Sequence, residues 1–173
     1  REIGGHHGGR HRAEAAVEDV YDAPQARIAR QQIDRAQAVL SFVEMVRVDP
    51  YASRERKIAW LSNISDVALT PEVIDYLLGF DDRVWKAISG EIVSVLEQTM
   101  REEIRPTARL ETVLRSVPAR VSSSLSEEQN QTVTLFVRSL VKPNAFFNAE
   151  KTAEAKRRAR DSIQPINRTV EEG

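Results

Sequence analysis

The sequence predicts a mainly α fold: a single-domain helical bundle of about seven helices, with room for a small β element near the chain termini. Three observations carry that expectation. Four of the seven glycines fall within the first nine residues, so the chain beyond Gly9 has little loop punctuation. Apolar residues recur at alternating spacings of four and three, the period of a helix with one buried face. Capping and breaking residues stand at the ends of those periodic stretches.

Taken in order, Ala13–Val20 reads as a short helix broken by Asp22-Ala23-Pro24. Residues 25–48 form the longest stretch, with Ala29, Ile33, Ala36, Leu40 and Val43 as the stripe and Ile28, Val39 and Val46 widening it. Such a helix spans roughly 36 Å, and Asp49-Pro50 ends it because the residue before proline avoids helical geometry. Ser53 caps a helix carrying Ile58, Leu61 and Ile64, with Trp60 beside the stripe. Thr70-Pro71-Glu72 combines a hydroxyl cap, proline at the first helical position and an acid near the positive end of the dipole. That helix buries Val73, Ile74, Leu77 and Leu78, and Gly79 is expected to close it in a left-handed cap.

Asp81 or Asp82 opens a long helix through about Glu103, with Val84, Ile88, Ile92, Val95, Leu96 and Met100 facing inward. Gly90 within it is expected to mark the close approach of another helix. Arg105-Pro106 ends it. Thr107 begins a helix that Pro118 closes. Ser126-Glu127-Glu128-Gln129 is a capping box, followed by Val133, Phe136, Val137 and Leu140 on one face. Lys142-Pro143-Asn144 stops that helix, and Asn148 caps a last, basic one that ends at Gln164-Pro165. Short extended pairing is expected only at Val121 and at residues 166–170.

Composition narrows the chemistry. A net charge of −1 implies no bulk attraction to nucleic acid, and the absence of cysteine removes disulfides, thiolate nucleophiles and thiolate metal sites. No apolar run approaches the roughly 20 residues of a membrane span. His6, His7 and His11 sit among glycines, a poor setting for a preorganised metal site. No His-Asp dipeptide, nucleophile elbow, phosphate loop or dinucleotide fingerprint is present. Neighbouring acids such as Glu102/Glu103 and Glu127/Glu128 diverge by about 100° on a helix and do not make an acid–base pair. Catalytic, metal and cofactor sites are therefore expected to be absent. Lys151, Lys156, Arg157, Arg158 and Arg160 form a basic run without interleaved aromatics, so a single-strand nucleic-acid platform is not expected. Glu150, Glu154 and Asp161 can pair with it locally. A membrane surface is the second reading of this face.

The chain ends resemble one another. Arg12-Ala13, Val17, Val20 and Tyr21 align with Arg158-Ala159, Ile163, Ile166 and Asn167 at a constant offset, which suggests two similar units packed side by side.

The ends also carry a family resemblance. Pro143-Asn144, a Thr152-led helix rich in Arg and Ala, the step Ile163-Gln164-Pro165-Ile166 and Val170-x-x-Gly173 follow in order. They resemble the end of the extracytoplasmic domain of bacterial seven-transmembrane HD hydrolases, the PgpH-type cyclic-di-AMP phosphodiesterases. Arg12–Asp22, RAEAAVEDVYD, resembles the start of that domain. Residues 1–11 depart from the family pattern and are expected to be a flexible or non-native terminus, with the domain at 12–173. The resemblance implies a non-catalytic sensor or interaction domain on the extracytoplasmic face of the membrane, placed between the first membrane helix and the remaining six. It implies a parent enzyme that hydrolyses cyclic-di-AMP in a separate, metal-dependent cytoplasmic HD domain.

The partners expected are a small-molecule or protein ligand, the parent's own membrane helices and the membrane surface. Asn144 and Thr152 match the family's motif, although a left-handed turn at Asn144 and a local backbone hydrogen bond at Thr152 are the commoner roles, and Phe146 and Phe147 sit in the intervening turn. These four are the candidate ligand or partner contacts. Trp60 and Trp85 can also line a pocket, although core packing is the commoner role. The rival reading is a soluble helical adaptor that binds proteins through exposed helix faces.

Overall fold

The computed structural model describes residues 16–162. Among them are seven helices: α1 (Ala26–Val48), α2 (Arg54–Ser62), α3 (Pro71–Gly79), α4 (Asp82–Met100), α5 (Ala108–Arg120), α6 (Glu127–Leu140) and α7 (Ala149–Asp161). The mainly α class and the number of helices agree with the sequence. Within this fold the chain forms two compact units, residues 24–145 and a terminal unit formed by the segments on either side.

The larger unit contains α1–α6. Helix α6 packs against α1, α3, α4 and α5, and α1 packs against α2 and α4. The stripes read from the sequence supply the core. Ala36, Leu40 and Val43 of α1, Ile88, Ile92 and Leu96 of α4, and Val133, Phe136, Val137 and Leu140 of α6 are all buried. The start signals act as expected. The Ser53, Thr70 and Asp81 side chains accept from the amides of Arg56, Val73 and Val84, and both bonds of the Ser126/Gln129 capping box form.

Helix ends differ from the expectation where a distant residue takes over. No glycine among the described residues has a positive φ, so Gly79 is not a left-handed cap. Arg47 of α1 does the work instead. Its guanidinium donates to the Leu77 carbonyl and to the Phe80 carbonyl at 2.7 Å, covering carbonyls that the end of α3 leaves open. It reaches Asp82 at 3.3 Å and stacks 5.5 Å from the Trp85 ring centroid, with only 6% of its side chain exposed. Lys57 covers the end of α1 in the same way, donating to the Arg47 carbonyl at 3.0 Å.

Pro118 does not end α5; it lies inside it. Proline offers no amide to the carbonyl four residues earlier, and Arg138 Nε fills that role by donating to the Leu114 carbonyl at 2.9 Å. Thr107, with φ 71, precedes α5 without a side-chain cap bond. Gly90 does not mark a close approach: a Cβ built there meets nothing within 4 Å.

In the terminal unit, residues 17–20 are non-helical, so the expected helix at 13–20 is over by Ala16. Its earlier part, residues 1–12 with the three histidines, and the tail at 163–173 lie outside the described residues. Residues 166–170, one of the two places where pairing is expected, lie outside the described residues, and an antiparallel bridge forms elsewhere, between Tyr21 and Phe147. Val121 is extended but sits in no strand.

Candidate functional site: the chain-end junction and an apolar face of α1

The terminal unit is a junction between segments about 125 residues apart in sequence. Asp22 N donates to the Phe146 carbonyl at 2.8 Å and Asn148 N to the Val20 carbonyl at 2.7 Å. The Thr152 hydroxyl accepts from Val20 N at 2.8 Å and donates to the Asn148 carbonyl at 2.7 Å. Asn148 caps α7 by accepting from Lys151 N, and its amide donates to Asp22 Oδ1 at 2.9 Å. Tyr21 and Phe147 meet edge to face with ring centroids 6.0 Å apart. A short run of backbone on one side and the first turn of α7 on the other thus hold both ends of the domain together.

The four candidate contacts fare differently. Thr152 is 4% exposed, and its hydroxyl is engaged by the backbone of the junction. Asn144 belongs to the larger unit and is fully buried. Its Oδ1 accepts from Ile104 N at 2.8 Å, while Nδ2 donates to the carbonyls of Met100 and Glu102 at 3.1 and 2.9 Å. It does not act through a left-handed turn, since Thr107 is the one non-glycine residue with positive φ among those described. It secures the end of α4 and the loop after it. Phe146 and Phe147 are 38% and 50% exposed. They alone of the four present substantial surface to a partner.

On the basic run, Arg158 pairs with Glu154 at 2.5 Å, Arg160 with Asp161 at 4.0 Å and Lys151 with Asp22 at 3.9 Å. Much of this face is internally neutralised. In the larger unit Arg120 forms a two-pronged contact with Glu102, one prong at 3.1 Å. That hydrogen bond outweighs burial and holds the Glu102 carboxyl below its ordinary range. Among the described residues, no group of three or more His, Asp or Glu is placed to hold a metal ion.

A surface the sequence reading missed lies on α1. Phe42, Met45 and Val48 are exposed on its outward side, and Trp60 of α2 lies beside Phe42. A cleft of about 380 Å³ runs along Ala38, Phe42, Trp60 and Asp66. A second, of about 220 Å³, is bounded by Phe42, Met45, Trp60 and Asp49. Trp60 borders both clefts. Trp85 is 4% exposed and packs in the core, and its edge borders a further cleft of about 540 Å³ together with Met45 and Asp82. The available signal was subtraction: once Val39, Leu40, Val43 and Val46 are assigned to the core, Phe42, Met45 and Val48 remain on the wrong side.

A mainly α domain in which residues 20–22 and 146–152 are hydrogen-bonded into one unit is the class this geometry defines. A sequence model of the family described as 7TM-HD extracellular matches residues 8–173, and the chain belongs to that family. It is the extracellular part of a 7TM-HD protein and not a catalytic HD domain. Among the described residues, no helix is long and apolar enough to cross a membrane. Among curated proteins and among solved structures, nothing matches the chain.

Proposed function

We propose that this domain is an extracytoplasmic sensor or interaction module that regulates cyclic-di-AMP hydrolysis by a cytoplasmic HD domain of the same protein. The observation that carries this reading is the junction: Val20 and Asp22 are hydrogen-bonded to Phe146, Asn148 and Thr152. If the first membrane helix precedes the domain and six follow it, one rearrangement of this junction acts on both flanks at once. A ligand shifts such an equilibrium only through its differential affinity for the two states. The exposed rings of Phe146 and Phe147 are the terminal unit's surface for such contact.

The test is cyclic-di-AMP hydrolysis by the full-length protein in proteoliposomes. Three forms are compared: intact, lacking this domain, and with Thr152→Val to loosen the junction. The regulatory reading expects both changes to alter the hydrolysis rate. Equal rates for all three forms remove it.

A further inference from the structure

The outward face of α1 carries a pattern that inverts onto itself. Arg35, Phe42 and Asp49 are spaced by seven residues, and seven residues return to nearly the same side of a helix after about 10 Å of rise. A cation, a ring and an anion therefore stand in line along one edge. Ala38 and Met45, also seven apart, place a small residue and a protruding one beside that line. All of these but Asp49, which is half-buried, are exposed.

We propose that this face is a two-fold, antiparallel contact with a second copy of this chain, centred on Phe42. A two-fold axis through Phe42 brings each copy's Arg35 beside the other's Asp49, and each Met45 over the other's Ala38. A self-complementary patch of this kind is what closed dimers require. The charges suit it. Arg35 has no hydrogen bond or ion pair among the described residues. Asp49 Oδ1 accepts from the amides of Tyr51 and Ala52 at 2.8 and 2.9 Å. Those bonds fix the carboxylate's direction and hold it below its ordinary pKa, so it stays charged at the lip of the cleft it shares with Phe42 and Trp60. A parallel pairing would set Arg35 against Arg35. Anionic lipid would meet Asp49 and Asp66 at the rims of the two clefts. A second copy in antiparallel register meets opposite charge at both ends.

One helix pair is a small interface, of the transient class, so association is measured on the whole chain by sedimentation equilibrium up to roughly 1 mM. A dimer in reversible exchange is expected, weakened by salt. Arg35→Glu, which replaces two attractions with two repulsions, is expected to raise Kd at least about tenfold. Asp49→Asn keeps the backbone acceptor, removes the charge, and should reduce the salt dependence. The chain has no cysteine, so single thiols report register. Phe42→Cys should cross-link to its own copy with a short bis-maleimide. Arg35→Cys should not, because antiparallel copies hold those positions about 20 Å apart. Melting curves confirm that each variant is folded. A monomer at every concentration, association unaffected by Arg35→Glu, or Arg35→Cys coupling to itself overturns the proposal. So does a monomer that instead binds phosphatidylcholine vesicles through Phe42 and Trp60.

Discussion

Replacing Asn144 with Ala should destabilise the larger unit by about 3 kcal/mol. The figure follows from the three groups the amide serves. Ile104 N and the Met100 carbonyl are held in buried bonds, and the Glu102 carbonyl in a half-buried one. Leaving a buried backbone group without a partner costs about 1–3 kcal/mol, and water can reach the last of the three. For a domain of this size the loss is a large share of total stability, and corresponds to a fall in melting temperature of roughly 10 °C. Urea denaturation followed by circular dichroism measures it, with an unchanged m-value showing that both end states are comparable. Asn144→Asp sharpens the test. It keeps the acceptor for Ile104 N but turns a second oxygen toward two carbonyls, so burial and repulsion raise the new carboxyl's folded pKa above its unfolded value. The sign follows: that variant is nearest the wild type below the unfolded pKa and loses stability as pH rises through the folded one. A loss under about 1 kcal/mol for Asn144→Ala, or a pH trend of opposite sign for Asn144→Asp, refutes the capping role.

Three further outcomes follow from the geometry. Arg47→Lys is expected to cost about 2–3 kcal/mol in urea melts, because one ammonium cannot cover the Leu77 and Phe80 carbonyls and stack on Trp85 together. Gly90→Ala should stabilise by about 0.5–1 kcal/mol, since the new methyl meets open space and the helix loses its most flexible residue. Arg120→Leu should return the Glu102 carboxyl toward its ordinary pKa, read by NMR titration. The depressed folded pKa gives stability that is present above the unfolded value and lost as pH falls through the folded one, so the variant should lose that part of the acid dependence.

The capped helix starts are legible in the sequence because each is encoded within four residues: Thr70-Pro71-Glu72 and Ser126 through Gln129 name their own partners, whereas α1 and α5 begin without a side-chain cap bond. Helix ends are less so. α4 stops at Met100 and not near Glu103 because an amide forty residues later claims the intervening carbonyls. α5 runs through Pro118 because Arg138 bonds the carbonyl that proline leaves open. The sequence points to a left-handed cap at Gly79 because the arginine that covers α3 lies on another helix. A family motif such as that of Asn144 and Thr152 does not separate a side chain that binds a ligand from one that binds backbone. Asn144 and Thr152 are hydrogen-bonded to backbone, Phe146 and Phe147 retain open surface, and Phe42 and Met45 stand out only once the core face of α1 is known.

The bonds joining residues 20–22 to 146–152 also determine how the domain yields to tension. The two backbone runs are antiparallel at Tyr21 and Phe147, so traction on the two termini peels them apart one bond at a time and does not shear them together. The Val20 contacts with Thr152 and Asn148 give way first, Asp22 with Phe146 next. The terminal unit is thus a zip that opens at low force, releasing slack before any load falls on the helices between.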